Sequence, residues 1–184
     1  SGRGKDETAY AVVKMLNGYL YVTQCGGFNG GYDDRTLQQL ATLAKMEQVN
    51  EIIIESNFGD GMFGKLLTPF IQKTHPCTIN EVRHSKQKEL RIIDTLEPVM
   101  MQHRLVVDEK LIKEDYETAK EPTYSLFFQM TRLTRDRGAI VHDDRLDALS
   151  IAVAYWTEQM DADAELLAGQ QKLEAFNREI EKFM

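Results

Sequence analysis

Four carboxylates are the first candidates for chemistry in this sequence: Glu55 and the trio Asp143, Asp144 and Asp147. Glu55 closes the run EIIIE just ahead of SNFGDG, and in open α/β sheets ligands bind beyond the carboxyl ends of the strands. The same position equally suits an acid that does no more than solvate a strand end. Asp144 and Asp147 stand three residues apart at the head of an apolar stretch, so on a helix they share a face. An acid at the cap with another three residues on is close to a capping box, and the positive end of the helix dipole favours both. Three acids within five residues exceed what a cap needs, and they repel one another unless a cation lies among them. If Glu55 converges on the pair, the site is hard and oxygen-rich, suited to Mg²⁺ or Mn²⁺. Two such ions, about 3.5–4 Å apart, can activate a water and stabilise the leaving oxygen of a phosphodiester.

Carboxylates bind metal but repel phosphate, so work on nucleic acid also requires nearby bases. RHSKQKELR supplies Arg83, Lys86, Lys88 and Arg91 against one Glu, and RLTRDR supplies Arg132, Arg135 and Arg137 just before the acidic trio. Each segment alone reads as a solvated face; together they bracket the acids as a phosphate-tracking groove would. Other chemistries find less support. GRGK near the start lacks the G-x-x-x-x-G-K-[ST] spacing and an upstream strand, so it encodes no ATP site. The four histidines, His75, His84, His103 and His142, form no i, i+4 pair, and Cys25 and Cys77 are too few for a zinc site or a disulfide framework. Cysteine usage suits a reducing compartment.

The elements that must position these residues are legible in outline. Ala9 to Leu16 and Tyr19 to Cys25 are β-branched and aromatic runs joined by Asn17-Gly18, the dipeptide of a two-residue hairpin turn. GGFNGGYDD reads as a loop leading to a helix capped by Asp33 or Asp34 and running to about Gln48. The Ile run Glu51 to Glu55 suits a strand buried on both faces. Met62 to Lys73 reads as a helix with Met62, Phe63, Leu66, Leu67, Phe70 and Ile71 inward, and Thr78 to Val82 as a strand. Lys86 to Gln102 is predicted helical, with Leu90, Ile93, Leu96 and Met100 on one face and a bend or break at Pro98. Leu105 to Val107 reads as an edge strand, residues 108–123 as an irregular charged segment, Tyr124 to Leu133 as a helix, and Arg145 to about Gln159 as a largely buried helix. The order of elements points to a mixed-sheet α/β domain over residues 1–160. Residues 161–184 form an amphipathic helical extension, with Leu173, Phe176, Ile180 and Phe183 on one stripe that either docks on its own domain or takes a partner.

The 184 residues suffice for one domain, and no apolar run nears the roughly 18 residues of a membrane span. With 22 Lys and Arg against 29 Asp and Glu, a formal charge of −7 argues against coating nucleic acid by bulk charge. Part of that excess falls in the tail, where six acids meet three bases, and part in the trio that metal ions would neutralise.

Three segments, SGRGKDETAYAV, ESNFGDGMFGK and YSLFFQMTRLTRDRGAIVHDDRLDALSIA, in this order and within Ser1 to about Trp156, resemble the C-terminal nuclease domain of the large terminase subunit of short-tailed double-stranded DNA phages. The resemblance implies a ribonuclease H-like mixed sheet flanked by helices and an endonuclease that cuts concatemeric double-stranded DNA with two divalent metals, Mg²⁺ or Mn²⁺, during genome packaging. It implies catalytic and metal-binding roles for Glu55, Asp144 and Asp147. The acidic trio and the basic segments themselves add Asp143 as a further metal ligand and Lys86, Lys88, Arg91, Arg135 and Arg137 as DNA contacts. His142 assists or packs. In the family an ATPase domain precedes the nuclease. The portal and the small terminase subunit are the implied partners and the host cytoplasm the place of action, with no membrane involved. The family's first catalytic Asp ends a first strand in an Asp-Pro pair that would fall immediately before Ser1, so the expected fold lacks that strand in this chain. Two rival readings are a Holliday-junction-resolvase-like nuclease and a non-cleaving module that grips DNA or the portal.

Overall fold

A computed structural model of the chain describes residues 7–56 and 61–181, with side chains as far as residue 174. GRGK and Asp6, the turn residues 57–60 and the side chains of Phe176, Ile180 and Phe183 lie outside the described residues. The hairpin forms as the turn chemistry requires: β1 (Thr8–Leu16) and β2 (Tyr19–Phe28) pair antiparallel, and Asn17 and Gly18 both take positive φ, 52° and 80°. Then follow α1 (Asp34–Met46), β3 (Glu51–Glu55), α2 (Met62–Thr74), β4 (Thr78–Val82), α3 (Lys88–Met101) and β5 (Leu105–Val107). The chain continues through α4 (Glu109–Thr118), a short 3-10 turn at Pro122–Tyr124, α5 (Leu126–Arg132) and α6 (Asp144–Glu181).

The strands form two ladders. One is mixed, in the order β1-β2-β5, with β5 parallel to β2 at its edge; the other is the parallel pair β3-β4. Each ladder has its own core. Leu20, Val22 and Cys25 of the hairpin pack with Ile92, Leu96 and Val99 of α3, Leu111 of α4, Leu126 of α5 and Leu146, Leu149 and Val153 of α6. Leu37, Ala41 and Ala44 of α1 pack with Phe63, Leu67 and Ile71 of α2 over β3 and β4. Helix α6 joins the two. Trp156 donates its indole N–H to the Val13 carbonyl of β1 at 3.0 Å, and Tyr155 donates its hydroxyl to Glu51 of β3 at 2.6 Å. The second edges of β1 and β3, unpaired among the described residues, both line a cavity of about 480 Å³ floored by Ala148, Ile151 and Ala152 of α6. The strands are thus mixed and helix-flanked as expected, with a lane between β1 and β3.

Several expectations are corrected by packing. Gly26, Gly27 and Phe28 belong to β2, not to a loop. The Ile run of β3 is half-buried instead of buried on both faces, because β3 lines the cavity. Met62 and Leu66 of α2 are exposed, and so is Met100 of α3, whose buried stripe is Ile92, Leu96 and Val99. Helix α3 passes through Pro98 without a break. Residues 109–118, read as irregular, form α4, capped by the Asp108 side chain on the Lys110 N–H at 2.7 Å. Only Leu111 and Asp115 of α4 are buried, and a helix whose inward face includes an acid has no apolar period to reveal it. Helix α6 runs unbroken past Gln159 to Glu181, and residues 161–174 are exposed, so that stretch does not dock on its own domain.

Arg145 ties these parts together. Fully buried one residue into α6, it donates to Glu7, just ahead of β1, at 2.5 and 3.0 Å and to Asp115 of α4 at 2.8 Å. Burial opposes its charge, but Glu7 and Asp115 more than compensate and hold the guanidinium above its ordinary pKa. Asp115 also accepts the Ser125 hydroxyl at 2.6 Å and the Cys25 thiol at 3.7 Å, and burial, then Asp115, push that thiol well up from its usual value. Gly27 leaves room for the Glu7 carboxylate, into which any Cβ would project. Removing one partner of such a triad strands the other charges in a low dielectric. Arg145→Met is therefore expected to cost about 3–5 kcal/mol in urea unfolding, against under about 0.5 kcal/mol for Lys113→Ala, which breaks an exposed pair within α4.

Candidate active site

The head of α6 carries three of the four carboxylates. Its first intrahelical bond runs from the Asp147 N–H to the Asp143 carbonyl at 2.8 Å, which places Asp144 and Asp147 on one face as their spacing predicts. Asp147 is the deepest, its side chain 5% exposed, and the Ser150 hydroxyl reaches its Oδ1 at 3.3 Å. Glu55 arrives from the carboxyl end of β3, and His84 Nδ1, after β4, lies 3.2 Å from its Oε1. Two cations close the group. Arg91 Nη2 donates to Asp147 Oδ1 at 2.8 Å and stands 3.4 Å from Glu55 Oε1; Lys88 Nζ lies 2.6 Å from Asp143, 3.2 Å from Asp147 and 3.8 Å from Asp144. The structure therefore brings Glu55, Asp143, Asp144 and Asp147 together around Lys88 and Arg91.

Lys88 and Arg91, expected on DNA phosphate, are turned inward to the acids. Burial works against the Lys88 ammonium, but Asp147, Asp143 and Asp144 outweigh it and raise its pKa above that of an ordinary lysine. Lys86 and Arg137 are exposed. Arg135 is not brought to the acids: it pairs with Asp94 at 3.5 Å and Glu97 at 3.2 Å on the outer face of α3.

The donor set suits a hard divalent cation: carboxylate oxygens alone, crowded closely enough that side-chain cations already lie between them. As they stand, no three of His, Cys, Asp and Glu among the described residues converge tightly enough to hold an ion. Arg91 sits between Glu55 and Asp147, and Lys88 sits among the three aspartates. Arg91 Nε is the one buried side-chain nitrogen or oxygen among the described residues without a hydrogen bond, a spare donor within this group.

Residues that no motif marks hold the site in place. The Leu146 N–H at the head of α6 is met by the buried Gln129 Oε1 of α5 at 3.0 Å, and Gln129 Nε2 bonds the carbonyls of Thr123 and Tyr124. Tyr124 in turn stacks on His142 with ring centroids 3.7 Å apart, so His142 packs beside the aspartates. From the other side, Glu89 accepts the Gly138 N–H at 2.7 Å, a bond that lowers its pKa, and Gln87 bonds the Arg135 carbonyl at 3.2 Å. These contacts fix the loop 134–143 between α3 and α5. Gln129→Leu, which leaves the Leu146 N–H buried and unmet, is expected to cost about 1–3 kcal/mol in urea unfolding. Amide exchange at Leu146 should rise with it; an unchanged rate would show that Gln129 does not anchor α6.

Residues 1–105 match the family described as the ribonuclease H-like domain of the bacteriophage T7 terminase. Over 185 residues the chain is also 49% identical to the terminase large subunit of Enterobacteria phage T3, a match covering 97% of this chain and 31% of that protein. The chain thus spans about a third of the length of that relative.

Proposed function

Because the chain belongs to the ribonuclease H-like domain family of the T7-type terminase large subunit, we propose that it is a metal-dependent endonuclease that cuts concatemeric double-stranded DNA during genome packaging. The observation that carries this reading is the meeting of Glu55 from β3 with Asp143, Asp144 and Asp147 from α6 in one oxygen-rich group. Glu55, Asp144 and Asp147, with Asp143 beside them, would hold Mg²⁺ or Mn²⁺. Such ions, when bound as a pair, supply an activated water and stabilise the leaving oxygen of the phosphodiester.

The chain's own residues prepare that chemistry. The Ser150 hydroxyl fixes the rotamer of Asp147, and His84 orients Glu55. Burial of Asp147 excludes water from one side of the group and strengthens each electrostatic contact made there. Lys86 and Arg137, both exposed, would neutralise the phosphates flanking a cut. Acting in the host cytoplasm at the procapsid portal, with the portal and the small terminase subunit as partners, belongs to the same proposal. No helix among the described residues is long and apolar enough to cross a membrane.

In a terminase large subunit carrying this domain, Glu55→Gln and Asp147→Asn should each lower Mn²⁺-dependent nicking of plasmid DNA by about two orders of magnitude or more. Both should weaken Mn²⁺ binding in a calorimetric titration, and chelation by EDTA should abolish cutting in the parent. Undiminished cutting by both variants would sink the assignment, no cutting and no Mn²⁺ binding by the parent would leave a non-cleaving module, and preference for branched over linear duplex would favour the resolvase-like reading. Lys86→Ala and Arg137→Ala should each reduce the slope of log affinity against log salt by about 1, without changing Mn²⁺ affinity. An unchanged slope removes them from the DNA path.

A further inference from the structure

Lys88 occupies an unusual place for a lysine. It is the first residue of α3, where the positive end of the helix dipole disfavours a cation, and Gln87 before it supplies no side-chain cap. Among the described residues its ammonium is held by three carboxylates and nothing else: Asp143, Asp144 and Asp147, all on or beside the head of another helix. About a third of its side chain remains exposed, so the four-carbon stem can swing to solvent without disturbing the core. Arg91, one turn further along α3, is 11% exposed and bridges Glu55 to Asp147, so it has no comparable exit.

The oxygens that hold Lys88 are those the proposed function gives to a divalent cation. A divalent cation held by the same oxygens would need the space that the ammonium fills at 2.6–3.8 Å. Two positive centres so close would repel strongly in a partly buried group. They exclude each other by volume and by charge.

We infer that Lys88 is the resident counter-charge of the aspartate group in the metal-free protein and is exchanged for the divalent cation when the ion binds. The inference rests on the metal-dependent reading above. Lysine keeps three carboxylates from repelling one another before the ion arrives, and so ties the head of α6 to the first turn of α3. Once an ion neutralises the acids, nothing opposes the helix dipole, and the ammonium leaves. The exchange lowers apparent metal affinity, because the ion must first displace a bound cation, and in return keeps the site ordered when empty.

Mn²⁺ titration by calorimetry, with thermal unfolding in EDTA, tests this on the full 184-residue chain. Lys88→Met should melt lower than the parent in EDTA yet bind Mn²⁺ about tenfold more tightly, and Lys88→Gln, which keeps a polar head if the Met variant fails to fold, should also tighten binding. Lys88→Arg, which keeps the charge, should stay within about threefold of the parent. Parent-like or weaker Mn²⁺ binding by the folded Met or Gln variant, with the parent binding Mn²⁺ measurably, would overturn the exchange alone. No Mn²⁺ binding by the parent, the Lys88 variants or Glu55→Gln would overturn the metal reading beneath it.

Discussion

Everything at the site depends on how the first turn of α6 is rotated, and a buried guanidinium sets that rotation. Arg145 is clamped by Glu7 and Asp115, so the face of α6 that carries it must point into the junction of β1, α4 and α6. At about 100° per residue, Asp144 and Asp147 fall within about 60° of each other and away from Arg145. They emerge toward the carboxyl end of β3. Both partners of Arg145 are themselves engaged, Asp115 by Ser125 and Cys25, Glu7 by the space above Gly27, so the clamp cannot slide. A conformationally specific ionic network of this kind is costly to desolvate and worth keeping for the geometry it imposes.

The second constraint is charge. Four carboxylates gathered from β3 and the head of α6 would repel one another in a partly buried setting, and the protein answers with two cations from α3 set one turn apart. Helix α3 therefore does two jobs with two faces. Ile92, Leu96 and Val99 pack into the core with the hairpin and α6, while Lys88 and Arg91 reach the acids. The apolar face packs α3 against α6 and so brings both cations within reach of the carboxylates.

The lane between β1 and β3 shows the same division of labour. Trp156 lies along β1 and Arg145 near its start, so α6 and β1 run the same way; Tyr155 meets Glu51 while Asp147 is bridged to Glu55, so α6 and β3 run opposite ways. The two strands thus border the cavity in opposite directions, held apart and in register by one helix. Beyond α6, Glu47 at the end of α1 ties that unit to the hairpin ladder, taking Lys14 of β1 at 2.9 Å and the Thr23 hydroxyl of β2 at 3.0 Å.

Local chemistry in the sequence determined the local structure. Asn17-Gly18 dictates the hairpin, Asp33 caps α1 through the Thr36 N–H at 2.7 Å, and the spacing of Asp144 and Asp147 puts them on one helical face whatever surrounds them. The acids of the candidate site could therefore be named from the sequence, together with the family it resembles. Tertiary structure alone decided which charge meets which. Arg145 and Glu7 are 138 residues apart, Lys88 and Asp143 are 55, and a lysine on its way to a phosphate reads no differently in sequence from one aimed at three aspartates. Hydrophobic periodicity records which face of an element leaves water, so it located most helices and missed α4, whose buried face holds an aspartate. It cannot record an ion pair, because the energy of that contact belongs to two distant residues that only the packed core brings together.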